Sequence, residues 1–220
     1  MESHFHEKLD ELRIKVLEMA AYAEKALDKA IKAMIERDSS LAQEVIDEDE
    51  TINKLECAID DDSLNILALH QPVARDIRTV VGCMRMIVNL ERIGDEAVNI
   101  AERALMLNNR PPLPFKPQLE DMAEVTMEMV RSAIKAFKDD DAEMAQMVCD
   151  MDVKVNELDL GMIKRLIDFM LKESPAIERS VHTILASRSL ERVADLSTNV
   201  GESVIFIIKG VDIKHRCGRI

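Results

Sequence analysis

Aromatic side chains are scarce, with one Tyr, five Phe and no Trp among 220 residues, so a core has to be assembled from aliphatic side chains and methionine. Glycine and proline number only six each. Long stretches therefore run without a backbone breaker, and the abundance of Met, Ala, Ile, Leu, Glu and Lys is that of a helical protein. Basic charge is in deficit: 29 Lys and Arg stand against 42 Asp and Glu, a formal net charge of −13, with no long basic run. That excess repels phosphate backbones and anionic lipid, so nucleic acid and membrane surfaces are poor partners. Cations and basic protein surfaces are better ones. No apolar run approaches the roughly 18 residues needed to span a bilayer, the nearest being 204–208. The first residues, Met1-Glu2-Ser3-His4, lack the basic and apolar regions of a signal peptide, so a cytoplasmic location is expected.

Chemistry-bearing patterns are missing as well. Cys57, Cys83, Cys149 and Cys217 form no CxxC pair, which predicts free thiols in a reducing compartment. The five histidines do not recur at any fixed offset, and Glu-xx-His pairs of the di-iron carboxylate bundles are absent. With no Gly-rich phosphate loop and no Ser or Cys nucleophile signature, the expectation is that the chain is not an enzyme. Hydrophobic residues still make up 47% of the chain, enough for a core in one domain or two small ones.

What is present is one phrase written twice. Leu90-Glu91-Arg92-Ile93-Gly94-Asp95, with Asn99 and Glu102, returns as Leu190-Glu191-Arg192-Val193-Ala194-Asp195, with Asn199 and Glu202. On a helix Glu91, Asp95, Asn99 and Glu102 fall at i, i+4, i+8 and i+11, which predicts one polar stripe. Val80, Met84, Ile87, Val88 and Val98 lie within roughly 60° of Glu91, so the stripe is expected on an apolar side. Ionised carboxylates on such a side need a cation or donors, and adjacent acids repel. A bound metal answers both demands, because hard cations take carboxylate and amide oxygens. Buried ion pairs with Arg92, Arg192 or arginines of neighbouring helices answer them too, and the sequence leaves both readings open.

The chain in order reads as helices over residues 5–37, 41–69 and 72–107, then 118–138, 142–172 and 176–209. Asp38-Ser39-Ser40 supplies cap chemistry, and His70-Gln71-Pro72 and Glu173-Ser174-Pro175 supply breaks. Residues 110–117 form the one proline-rich stretch, a linker between a first repeat, 1–109, and a second, 118–210, with a loose basic tail at 211–220. The repeats align at an offset of 103, from Ala30-Ile31-Lys32-Ala33 on Ala133-Ile134-Lys135-Ala136 to Pro72 on Pro175, and the acid phrase at an offset of 100. The fold predicted is all-α, a six-helix bundle of two tandem three-helix units related by pseudo-twofold symmetry. The same offset exposes a second stripe, Asp49, Asn53 and Glu56 matching Asp152, Asn156 and Asp159. A helix pair offering Glu-xxx-Asp on one side and Asp-xxx-Asn on the other can surround a cation with oxygens. The competing reading pairs Asp49 and Asp152 with buried arginines.

The three-helix unit written twice, each closed by Leu-Glu-Arg-(Ile/Val)-(Gly/Ala)-Asp, resembles the PhoU family of phosphate-transport regulators. Gln71-Pro72-Val73-Ala74-Arg75-Asp76-Ile77-Arg78 and Asp49-Glu50-Thr51-Ile52-Asn53-Lys54-Leu55-Glu56 are similar to it as well. The resemblance implies a cytosolic negative regulator of phosphate uptake and starvation signalling that contacts a phosphate transporter ATPase and a sensor histidine kinase. It also implies multinuclear metal clusters held by Glu/Asp-xxx-Asp motifs, and a homodimer. Carried onto this chain, the metal ligands are Glu91, Asp95, Glu191 and Asp195 with Asp49 and Asp152, then Asn53 and Asn156, where the family often has Asp, and Asn99 and Asn199. Oxygen-rich ligation admits Fe, Zn, Mn or Mg. The alternatives are a related accessory regulator of a different phosphate carrier, a structural adapter whose polar stripes only fix helix register, and a carboxylate-bridged metalloenzyme.

Overall fold

The computed structural model describes residues 2–70 and 73–213, and the side chains of residues 5–69 and 73–213. Seven helices follow one another: α1 (Glu2–Ile35), α2 (Ser39–Glu48), α3 (Glu50–His70), α4 (Ala74–Asn108), α5 (Lys116–Asp139), α6 (Ala142–Lys172) and, after one 3-10 turn at Ser174–Ala176, α7 (Ile177–Lys209). Among the described residues there is no strand. The α2 and α3 segments are one rod divided at Asp49, so the predicted six-helix bundle of two three-helix units is the architecture found. Among the described residues no helix is long and apolar enough to cross a membrane.

Spacing explains the packing. α1 buries Leu12, Val16, Met19, Ala23, Leu27 and Ala30, three or four residues apart and therefore on one side. α4 and α7 lie in the middle of the molecule, each packed on the other, with α1, α2 and α3 around α4 and α5 and α6 around α7. Their mutual register is antiparallel: Ile207 fills the space a Cβ on Gly82 would need, Glu96 bridges to Arg192, and Arg103 shares a cavity with Leu185. Being enclosed, α7 carries buried Ser180, Ser187, Ser197 and Ser203. Ser197 Oγ and Ser203 Oγ donate back to the carbonyls of Val193 and Asn199, both at 2.8 Å, which removes the cost of burying a hydroxyl.

The turn after the first helix of each repeat is copied closely. Arg37 and Asp140, 103 residues apart, are the non-glycine residues with positive φ, 63° and 51°, a conformation that costs L-residues roughly 1–2 kcal/mol. Each is held by a contact across the fold. Arg37 donates to the carbonyls of Leu107, at 3.0 Å, Asn108, at 2.8 Å, and Arg110, closing the end of α4. Asp140 accepts from Arg13 at 2.8 Å. The next residue caps the following helix: Asp38 accepts from the N–H groups of Ser40 and Leu41, and Asp141 from those of Glu143 and Met144.

Several expectations are corrected. A single helix over 41–69 was expected, but the hydrogen-bond ladder is interrupted at Asp49, whose φ of −56° and ψ of −38° remain helical while Ile52 N–H bonds its carbonyl in a three-residue step. Neither Pro nor Gly marks the spot. α5 starts at Lys116 with Pro117 in its first turn, inside the stretch assigned to the linker. The tail after α7 is not loose throughout, since Ile213 is buried in the core and Asp212 bridges to Arg85 at 3.3 Å. The break at Gln71-Pro72, Cys217 and the basic run 214–220 lie outside the described residues. Cys83 and Cys149 are buried and Cys57 is exposed. Burial pushes the Cys83 thiol up to about 12.

One packing exchange differs between the repeats. A Cβ on Gly94 would stand 2.8 Å from Cδ1 of Ile52, whereas the matching pair in the second repeat is Ala194 and Val155. The methyl group has moved from one helix to the other. Gly94→Ala gains about 1 kcal/mol of helix propensity but has to displace Ile52. In an Ile52→Val background that displacement is unnecessary. Urea unfolding of the two single variants and the double variant is expected to show the double more stable than the sum of the singles by at least about 0.5 kcal/mol, and strict additivity would contradict the exchange.

Candidate functional site

The predicted acids gather along two seams, one between α3 and α4 and one between α6 and α7. In the first, Asp49 lies over Gly94, its Oδ1 3.7 Å from where a Cβ would be, beside Asp95. Asn53 Nδ2 donates to Asp49 Oδ2 at 3.1 Å. Glu91 and Glu56 are half-buried, and Asp95 keeps an exposed outer edge. Among the described residues no Lys, Arg or His stands within 4 Å of the carboxylates of Asp49, Glu56, Glu91 or Asp95, since no ion pair involves them.

Like charge left in place has the expected effect. Partial burial raises the Glu91 carboxyl above its ordinary value, with Asp95 and Glu56 adding to it and Arg92 opposing. Burial and then Asp49 and Glu96 raise Asp95; burial and then Asp60 and Asp95 raise Glu56. Asp95 contributes to raising both Glu91 and Glu56, and Asp49 to raising both Glu91 and Asp95, so these acids form one chain of neighbours.

The second seam repeats the plan with one insertion. Asn156 Nδ2 donates to Asp152 Oδ2 at 2.8 Å, as Asn53 does to Asp49. Burial and then the neighbouring Asp195 raise Asp152 above its ordinary value. Burial raises Glu191 too, opposed by Arg188. Arg188 is the difference, because it bonds Asp159 at 2.9 Å and approaches Glu191 at 3.7 Å. Asp159 is buried to 1% exposure and also accepts from Ser187 Oγ at 2.6 Å. Asp159 is therefore held as an ion pair with Arg188, with one hydrogen bond accepted on each carboxylate oxygen. At the matching position of the first repeat stands Val88, so the first seam has no built-in cation.

Two oxygens in these seams are unexplained by protein contacts. Oδ1 of Asn53 and Oδ1 of Asp152 are buried and accept no hydrogen bond. Buried acceptors without a donor are rare, and both belong to residues predicted as ligands. These oxygens, with the unneutralised acids, fit a hard cation. Among the described residues no three His, Cys, Asp or Glu side chains close on one point, so a cation held here takes few protein oxygens per seam and keeps water in its shell.

Asn99 and Asn199 stand where the seams meet the α4/α7 crossing, and Asn199 lines a cavity there with Asp95 and Asp195. Each four-residue step on a helix drifts by about 40°, and eight residues past Glu91 or Glu191 that drift has turned the side chain toward the α4/α7 crossing. Asn99 donates to Glu96 Oε2 at 3.2 Å and lines a cavity with Arg103 and Arg192. Asn199 lines the opposite groove with Arg85 and Arg92. Sequence reasoning missed Glu96, buried at 8% exposure and bonded to Arg192 at 3.2 Å across the two repeats. Its counterpart is Leu196, so the duplication gave it no signal.

Comparison with known proteins agrees with the fold. The PhoU domain model matches the chain twice, at residues 16–104 and 119–204. A phosphate-specific transport system accessory protein PhoU homolog of Pseudomonas putida is 36% identical over 212 residues, spanning 96% of this chain and 83% of that protein. The crystal structure of PhoU from Pseudomonas aeruginosa superposes with a TM-score of 0.92 at 35% identity, covering 94% of this chain and all of the other. The phosphate transport system regulatory protein PhoU of Streptococcus pneumoniae gives 0.88 at 26% identity over 94% and 98% of the two chains.

The raised carboxyls have a direct consequence for stability. A carboxyl whose value is higher folded than unfolded binds its proton more tightly in the folded state, so folding stability rises as pH falls toward the ordinary carboxylate range and levels off below it. Held in chelator, Glu91→Gln is expected to melt at a higher temperature than the parent chain at pH 7, with the difference vanishing near about pH 4. A variant that melts lower at pH 7, or by the same margin at both pH values, would show that Glu91 is not held against its preference.

Proposed function

The chain belongs to the PhoU family, and from that membership we propose that it is an accessory protein of a phosphate-specific transport system that restrains phosphate uptake and phosphate-starvation signalling. The observation that supports the reading is the pair of acid seams built on the duplicated phrase. Loaded with a metal ion from the set Fe, Zn, Mn and Mg, the seams would be held by Asp49, Asn53, Glu91 and Asp95 on one side and by Asp152, Asn156, Glu191 and Asp195 on the other. The ion would supply positive charge that locks α3 to α4 and α6 to α7, so metal loading and the outer shape of the bundle are coupled. The macromolecular partners are the transporter ATPase and the sensor histidine kinase, and an acidic bundle suits basic patches on both. Apolar side chains left exposed on α6 and the start of α7, Leu160, Ile167, Leu171, Ile177 and Val181, offer a homodimer a surface.

The test is made in cells lacking the gene and supplied with ample phosphate. The parent chain is expected to keep phosphate-starvation genes silent, and the Glu91→Gln/Asp95→Asn variant, present at equal abundance, is expected to leave them expressed. Failure of the parent chain to silence them would end the regulator reading. Silencing by the double variant would show that the first seam takes no part in regulation.

A further inference from the structure

At the α4/α7 crossing, beside the acid seams, two grooves occupy positions exchanged by the pseudo-twofold. The first is lined by Asn99 and Arg103 of α4 and Leu185, Arg188, Ser189 and Arg192 of α7, around a cavity of about 140 Å³. Shifted by 100 residues, those positions become Asn199, Ser203, Arg85, Val88, Asn89 and Arg92, and all six line the second groove. The duplication has kept both grooves while exchanging the side chains in them.

The second groove shows what such a place takes. There the chain supplies its own carboxylates: Asp212, from the segment after α7, bonds Arg85 Nη1 at 3.3 Å, and Glu202 lines the same wall. Arg85 is further fixed by lying 4.4 Å over the Phe206 ring. In the first groove the position of Arg85 is Leu185, and no acid enters the cavity wall. Three guanidinium groups line it instead. Arg103 bonds only its exposed neighbour Glu102, at 3.4 Å, Arg188 reaches Asp159 and Glu191, and Arg192 reaches Glu96 at 3.2 Å. Most of their N–H groups make no hydrogen bond among the described residues. A guanidinium fork matches two oxygens of a phosphate or carboxylate. On a chain with net charge −13, which repels anions at a distance, such a cluster is the place where one is held by contact.

We propose that the groove between Arg103, Arg188 and Arg192 binds a small oxyanion, and that its pseudo-symmetric mate is a second such groove closed by the chain's own Asp212. Asn99 and Ser189 add neutral donors to the same wall. The site shares Arg188 with the second acid seam, but it needs no metal.

Calorimetric titration of the full chain with inorganic phosphate tests this, in chelator so that no phosphate binds through a metal, and at fixed ionic strength. The expected result is one saturable phosphate per chain, weakened at least about tenfold by Arg103→Gln, with sulfate competing and chloride not. Asp212→Ala is expected to raise the stoichiometry to two. Circular dichroism unchanged from the parent confirms that both variants are folded. Absence of saturable binding, or binding that Arg103→Gln leaves unaltered, meaning an adventitious ion only, would overturn the site. A stoichiometry that stays at one in Asp212→Ala would overturn the mate.

Discussion

Carboxylates packed side by side along two helix seams are the constraint on which the rest of the molecule turns. Glu56, Glu91 and Asp95 are each raised by burial and then by neighbouring carboxylates, so the folded chain holds them against their preference for water. A half-buried cluster of one sign is tolerable if its members take up protons, if a cation enters, or if an arginine is supplied. The second seam uses the arginine in part, through Arg188. The first has Val88 in that place and depends on protons or on an ion from outside. Two seams built on one plan thus differ in the cation they lack.

The remaining architecture brings those seams to the centre. α4 and α7 carry the duplicated phrase at the point where they cross, so the two acid clusters flank the pseudo-twofold and the arginine grooves fill the space between the helices. Glu96 and Arg192 are the charged pair that ties one repeat to the other there. Small residues permit the close approach: Gly94 admits Ile52, Gly82 admits Ile207, and a Cβ on Gly201 would stand 2.9 Å from the Ala145 carbonyl of α6. Distances among the charged groups are set by these contacts, which is why a methyl group exchanged between Gly94/Ile52 and Ala194/Val155 belongs to the same design as the acids.

Much of this was legible in the sequence because it depends on period and repetition. Helical spacing of Leu12, Val16, Met19 and Ala23, the cap at Asp38, and the offset of 103 residues each carry local chemistry that survives translation into structure. The duplicated Glu and Asp positions also fall together as expected. What escaped reading depends on register between helices or on one copy alone. The division of α2 from α3 at Asp49 has no breaker residue to announce it. Asn99 donates to Glu96, because a stripe of i+4 steps drifts around the helix. Arg188 with Asp159, and Glu96 with Arg192, have no counterpart in the other repeat, so the comparison that found the acids passed over them. Ile213 is buried by a surface that only the assembled bundle provides.

Whether the first seam is completed by a cation decides how the constraint is met. Anomalous scattering from crystals of the purified chain, recorded at the absorption edges of iron, manganese and zinc, with elemental analysis covering magnesium, reads this directly. The result expected is a metal peak within bonding distance of Glu91 and Asp95, with the orphaned Asn53 oxygen turned toward it. Crystals of purified protein with no metal in that seam, in which Glu91 and Asp95 meet only water or an arginine, would contradict it.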